Sequence, residues 1–91
     1  MSYKILPYSY KRAKQIGVQI KPSTNPLKKI DVFKDNKKIS SIGEIGYKDY
    51  PTYLLEDKDI AIERRNLYKK RHNKYRNIIG TNSYYADKLL W

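Results

Sequence analysis

Apolar residues recur along this chain with two different periods, and the change from one to the other predicts a mixed α+β fold. Pro7 bars a regular helix interior before it. Ser9 suits an N-cap. Tyr10, Ala13 and Ile16 follow at helical spacing, with Lys11, Arg12 and Lys14 on the other faces. Gly17 supplies the left-handed stop that such a helix needs. Val18 and Ile20 alternate with Gln19 and Lys21, which predicts a short extended stretch, and Pro22 to Pro26 reads as a loop. Ile30, Val32 and, out of phase, Phe33 predict a strand. Asp35-Asn36-Lys37 predicts its turn, because Asp and Asn tolerate left-handed backbone. Ile39 and Ile42 fall in the returning strand, and the broken alternation leaves room for a bulge. Gly43 and Gly46 mark sharp turns after it.

The second half is helical in pattern. Asp49 suits the cap of a short turn through Leu55, with Pro51 tolerated in its first turn. Asp57 or Asp59 caps the main helix, about Ile60 to Tyr75, with Glu63 early and the bases late, as the helix dipole favours. Ile60, Leu67, Tyr68 and Tyr75 form one stripe on it, broken by Arg64 and Arg71. Gly80-Thr81-Asn82 predicts a turn. Ser83 then caps a last helix, Tyr84 to Trp91, with Asp87 early in it. Tyr85, Leu89, Leu90 and Trp91 offer an apolar anchor, for the domain's own core or for a partner. The expected architecture is a β-hairpin, or small antiparallel sheet, packed with a short N-terminal helix, one main basic helix and a short C-terminal helix. No internal repeat breaks the pattern.

Composition narrows what such a fold can do. Ninety-one residues suit a single small domain, residues 1–91, with one modest core. Ten tyrosines stand against one Phe and one Trp, which suits a thin core near water, because tyrosine buries its ring and keeps its hydroxyl at the edge. The chain has no cysteine, which excludes disulfides, thiolate catalysis and Cys-based zinc sites and fits a reducing compartment. It has no run of about 18 apolar residues, so no membrane span is expected. The start, Met1 to Pro7, lacks the apolar stretch of a signal peptide, and a cytosolic start is expected.

Charge changes the picture most. The net charge is +11, divided as +8 over residues 1–43, −4 over 44–63 and +7 over 64–91. Such an excess attracts polyanions, although a charged surface also serves plain solubility. From Arg64 to Arg76, seven of thirteen residues are Lys or Arg and none is acidic. On a helix, Arg65, Lys69, His72 and Arg76 fall on one ridge suited to tracking phosphates, flanked by Lys70 and Lys74. Arg64 and Arg71 share the apolar stripe and are expected to be structural, pairing with an acid or stacking on a tyrosine. A second basic set contains Lys11, Arg12, Lys14, Lys28, Lys29, Lys37 and Lys38. The expected nucleic-acid contacts are therefore Arg65, Lys69, Lys70, Lys74 and Arg76, assisted by Lys28, Lys29, Lys37 and Lys38. No base-reading pattern accompanies them, so binding is expected to be phosphate-led and indifferent to sequence.

Enzymatic chemistry finds little support in the sequence. His72 is the sole histidine, so a His-rich metal site cannot form. Glu56, Asp57 and Asp59 do not follow the spacing of a calcium-binding loop, and Lys58 sits among them. Gly43 and Gly46 match neither phosphate-binding glycine fingerprint. Serine, His72 and aspartate show no triad spacing. A non-enzymatic protein with no cofactor is expected.

Ile42-Gly43-Glu44-Ile45-Gly46-Tyr47-Lys48-Asp49-Tyr50-Pro51-Thr52-Tyr53 resembles a stretch in a family of small basic uncharacterised proteins encoded by giant (nucleocytoplasmic large) DNA viruses. Glu63-Arg64-Arg65, Tyr68-Lys69-Lys70-Arg71-His72 and the ending Gly80-Thr81 with Tyr84-Tyr85-Ala86-Asp87-Lys88-Leu89-Leu90-Trp91 are similar to the same family. So are Ser9-Tyr10-Lys11-Arg12-Ala13 and Ile30-Asp31-Val32-Phe33, and the resemblance runs through nearly the whole chain. It implies a viral setting, in the virion or the infected cell's cytoplasm. It also implies that the Gly-Tyr-x-Asp-Tyr and Arg-His segments pack together and hold the fold. The expected function is sequence-nonspecific DNA binding in genome condensation or packaging. The alternative is a minor virion structural protein that meets a protein partner and not nucleic acid.

Overall fold

The computed structural model describes residues 3–91, so the first two residues of the start scanned above for a leader lie outside it. The chain runs α1 (Pro7–Ile16), β1 (Gln19–Pro22), β2 (Lys28–Lys34), β3 (Lys37–Glu44), α2 (Tyr50–Glu56), α3 (Lys58–Arg71) and α4 (Asn82–Leu90). The three strands form one antiparallel sheet in the order β1-β2-β3; α1 and α4 pack against it, and α2 packs with α3. The fold is α+β, as the two periods in the sequence predict.

Local chemistry explains the sheet. Asp35 and Asn36 both adopt positive φ, 53° and 64°, and make the two-residue turn whose twist matches that of the flanking strands. Register runs Val32 opposite Ser40 and then Phe33 opposite Lys38, so Ile39 is the extra residue of a bulge. Ile39 is 38% exposed there, and Phe33, next to Val32 in β2, falls on the opposite face of the sheet. The extended stretch expected after Gly17 is β1, which joins β2 at the sheet edge, where Pro22 ends it and its missing N–H disturbs no ladder.

Central strand β2 is buried on both faces. Ile30 and Val32 face the aliphatic core with Ile42, Ala13, Leu89 and Leu90. Lys29 and Asp31, of the opposite parity, are buried too. The Asp31 carboxylate accepts from the Ser23 and Ser41 hydroxyls, both at 2.7 Å, and from the Thr24 N–H at 3.3 Å. Burial raises its pKa, but these hydrogen bonds and the Lys38 charge outweigh that effect and hold it below the ordinary value.

The helices begin and end on identifiable residues, with two corrections to the sequence reading. Gly17 stops α1 in the left-handed conformation, φ 75°. Leu6, not Ser9, is its N-cap, and Pro7 starts the helix. Ser9 is buried instead, and its hydroxyl donates to the Leu89 carbonyl at 2.7 Å. Asp49 caps α2 and Asp57 caps α3, as expected, by accepting backbone N–H groups of the first turn. Thr81, not Ser83, caps α4, because its hydroxyl reaches the Tyr84 N–H at 3.1 Å while also donating to the Ile78 carbonyl. The main helix ends at Arg71, and residues 72–79 wind off in successive turns where the sequence suggested helix up to Tyr75. Leu89 and Leu90 are buried, so the C-terminal apolar anchor serves this domain's own core.

Candidate nucleic-acid interface

Helix α3 turns inward a face that meets the expected apolar stripe only at Tyr68. Its inward residues are Ala61, Arg65, Tyr68 and Lys69, while Ile60, Leu67 and Tyr75 of the expected apolar stripe are 46%, 48% and 50% exposed. The ridge read as a phosphate track therefore points into the molecule. Arg65 lies over the Tyr50 ring, 4.8 Å from its centroid. Lys69 donates to Asp87 Oδ1 at 2.9 Å. Arg76 stands 3.7 Å from Asp87 Oδ2, and Lys88 stands 3.4 Å from the same atom.

Asp87 explains this rotation. It is the single acid between residues 64 and 91, and it is fully buried in α4. An unpaired buried carboxylate is costly, so nearby cations are drawn to it. The turns after Arg71 bring Arg76 back to it. Burial lowers the pKa of Lys69, and the Asp87 hydrogen bond and charge oppose that without cancelling it. Lys69 and Arg76, both expected as phosphate contacts, are thus engaged within the domain.

Lys29 is a second correction. It is buried, with its ammonium 2.8 Å from the buried Asp49 Oδ2, and it donates to the Tyr47 carbonyl. The Tyr3 hydroxyl donates to the same Asp49 oxygen at 2.7 Å. Burial pushes the Asp49 carboxyl up, yet hydrogen bonds from Lys29, Thr52 and Tyr3 leave it below its ordinary value. Asp49 thereby caps α2 and fixes β2 to it.

The other expected contacts reach the surface but do not form one patch. Lys70 and Lys74 are exposed on and after α3, with Lys74 5.3 Å from the centroid of its neighbour Tyr75. Lys37 and Lys38 are exposed at the hairpin tip, where Lys38 lies 3.8 Å from Asp31. Lys28 is half-buried at the far end of β2, roughly 20 Å from the tip at ~3.3 Å per residue.

Arg64 and Arg71, read from the sequence as structural, are exposed and line a sizeable hollow. This cleft, of about 690 Å³, has β3 and α4 as its floor and α3 as a wall. Tyr53, Lys28 and residues of the segment 44–49 complete its lining. Gly43 shapes the floor, because its φ is +77° and a Cβ there would meet Leu90 Cδ1 at 2.8 Å and Lys29 Cδ at 2.9 Å. The Gly-Tyr-x-Asp-Tyr and Arg-His segments both contribute to its lining. Positions 64, 67, 68, 71 and 72 share one side of a helix, a spacing that marks this wall in the sequence once Asp87 has claimed the adjacent ridge. Lys48, also on the rim, pairs with Glu56 at 2.7 Å, and both side chains are half exposed. Among the described residues, no ion pair engages Lys28, Arg64, Lys70 or Arg71.

Among the described residues, no group of His, Asp and Glu side chains could hold a metal ion, and no helix is long and apolar enough to cross a membrane. Comparison with known protein families, curated proteins and solved structures finds no match to this chain.

Proposed function

We propose that the protein binds nucleic acid through its phosphates, without reading sequence, and that DNA is its partner. The observation that carries this role is the exposed pair Arg64 and Arg71 on the cleft side of α3, with Lys70 exposed further round the helix, none of them in an ion pair among the described residues, in a chain of net charge +11. Lys28 lines the cleft with Arg64 and Arg71, and Lys74 adds a further exposed cation just beyond α3. Arginine suits such a surface because its guanidinium presents paired donors to phosphate oxygens. Genome condensation or packaging is the corresponding role in the viral setting that the sequence resemblance implies.

Fluorescence anisotropy of a random-sequence DNA duplex across a salt series tests this. With Lys29, Lys69 and Arg76 engaged inside the domain, about four to six phosphate contacts remain, which gives a log–log salt slope of roughly −4 to −5. Unrelated sequences should give the same affinity. No binding at low salt would overturn the proposal and assign the charge to a protein partner.

A further inference from the structure

Building on the phosphate contacts proposed above, we infer that the cleft beside α3 receives an unpaired base, so that the protein prefers single-stranded to duplex nucleic acid. The cleft is built differently from the rest of the interior. The fully buried core around Ile30 and Val32 is aliphatic but for Tyr85, with Tyr3, Tyr84 and Trp91 packed at its margin. The cleft instead gathers Tyr47, Tyr53, Tyr68, His72 and Trp91. Three of these rings already form a stack: Tyr68 lies 4.2 Å from His72 at 25° and 4.4 Å from Trp91 at 7°. Tyr68 is the one buried member, while His72 and Trp91 at the two ends are half-buried and border the hollow. Tyr53 stands 6.4 Å from Trp91 at 47°, an open wedge and not a closed pair. Tyr47 on the rim is 70% exposed, with its ring open to a ligand.

An aromatic wall beneath a cationic rim is the chemistry of a nucleotide. The base extends the ring stack, and Arg64, Arg71 and Lys28 hold the flanking phosphates. A hollow of about 690 Å³ has room for a base with its sugar. Paired bases within a duplex cannot enter a concave site, so an unpaired one is required. Base identity matters little, because every base offers a π-face.

The chain's single tryptophan, Trp91, lies in the wall and reports directly on occupancy. The experiment titrates the intact protein with oligothymidylate, with an abasic deoxyribose-phosphate strand of equal length, and with thymidine monophosphate. The expected result is quenching of Trp91 by oligothymidylate and about tenfold tighter binding than to the abasic strand. Tyr47→Ser should erase most of that preference and leave abasic binding unchanged, and its exposed position keeps the fold intact. Equal binding of both strands without quenching overturns the base site while the phosphate contacts stand. Failure of both strands to bind overturns the two together. Tight oligothymidylate binding with unquenched Trp91 removes the base from this cleft. Quenching by the mononucleotide at the same concentration as the strand overturns the strand as occupant in favour of a free nucleotide.

Discussion

The two sides of α3 carry the same kinds of residue and do opposite things. Inward, Arg65 and Lys69 serve a tyrosine ring and the buried carboxylate of Asp87, which Arg76 joins from the following turns. Outward, Arg64, Lys70 and Arg71 meet solvent and the cleft. Formal charge does not distinguish them. What separates them is the position of one acid, Asp87, on another helix. A basic stretch is therefore best read by first subtracting the cations that the nearest buried acid demands.

The comparison breaks most severely at Asp87. Asp87→Asn leaves Lys69, Arg76 and Lys88 without their common anion, and about 3 kcal/mol of stability should go with it. At roughly 4–8 °C per kcal/mol for a domain of this size, thermal unfolding followed by circular dichroism should show a Tm lower by about 12–24 °C. A change of a few degrees would mean that the three cations reach water freely.

Reversing the outer side should spare the fold and damage binding. Arg64→Glu with Arg71→Glu is expected to weaken DNA binding about 10–100-fold and to reduce the salt slope by about 2, with Tm nearly unchanged. A finer contrast uses neighbours. Lys69→Met should cost about 1–2 kcal/mol, because it removes a charged partner of a buried carboxylate. Lys70→Met should stay within about 0.5 kcal/mol, as an exposed substitution does. Equal effects in chemical denaturation would erase the distinction between the two sides.

The broadest effect is with acid. Asp31 and Asp49 both have folded-state pKa values held below the ordinary 3.8. Their contribution is fully present above that value and is lost as pH falls through the lower folded values. Stability should be flat at mildly acidic pH and decline below about pH 4. An Asp49→Asn variant should show a shallower decline in the same denaturation series.

Much of the fold was legible because its signals are local. Asp35-Asn36 defines the hairpin turn, Gly17 the stop of α1, and Asp49 and Asp57 the caps of α2 and α3. Each acts within a few residues of itself. The orientation of α3 was not legible, because its apolar and cationic residues are interleaved and two faces competed for the interior. The deciding contacts join Lys69 to Asp87, 18 residues apart, and Lys29 to Asp49, 20 apart. Ser9 was misread for a similar reason: it has the chemistry of a cap, but its partner is the Leu89 carbonyl. The cleft's aromatic wall was hidden because tyrosines that serve a core and tyrosines that line a hollow look alike in sequence.

Those last contacts bear on how the chain reaches its native state during synthesis. Ser9 and Arg12 of α1 hydrogen-bond the carbonyls of Leu89 and Lys88, partners 80 and 76 residues away. The hairpin can pair as soon as it leaves the ribosome and α1 can meet β1, but the hydrogen bonds that fasten α1 wait until α4 has been made. The earliest helix in the chain is thus among the last to be secured, and its docking on α4 closes the longest loop of the fold. A nascent chain stalled before α4 should hold a protected hairpin beside an α1 that amide exchange finds open.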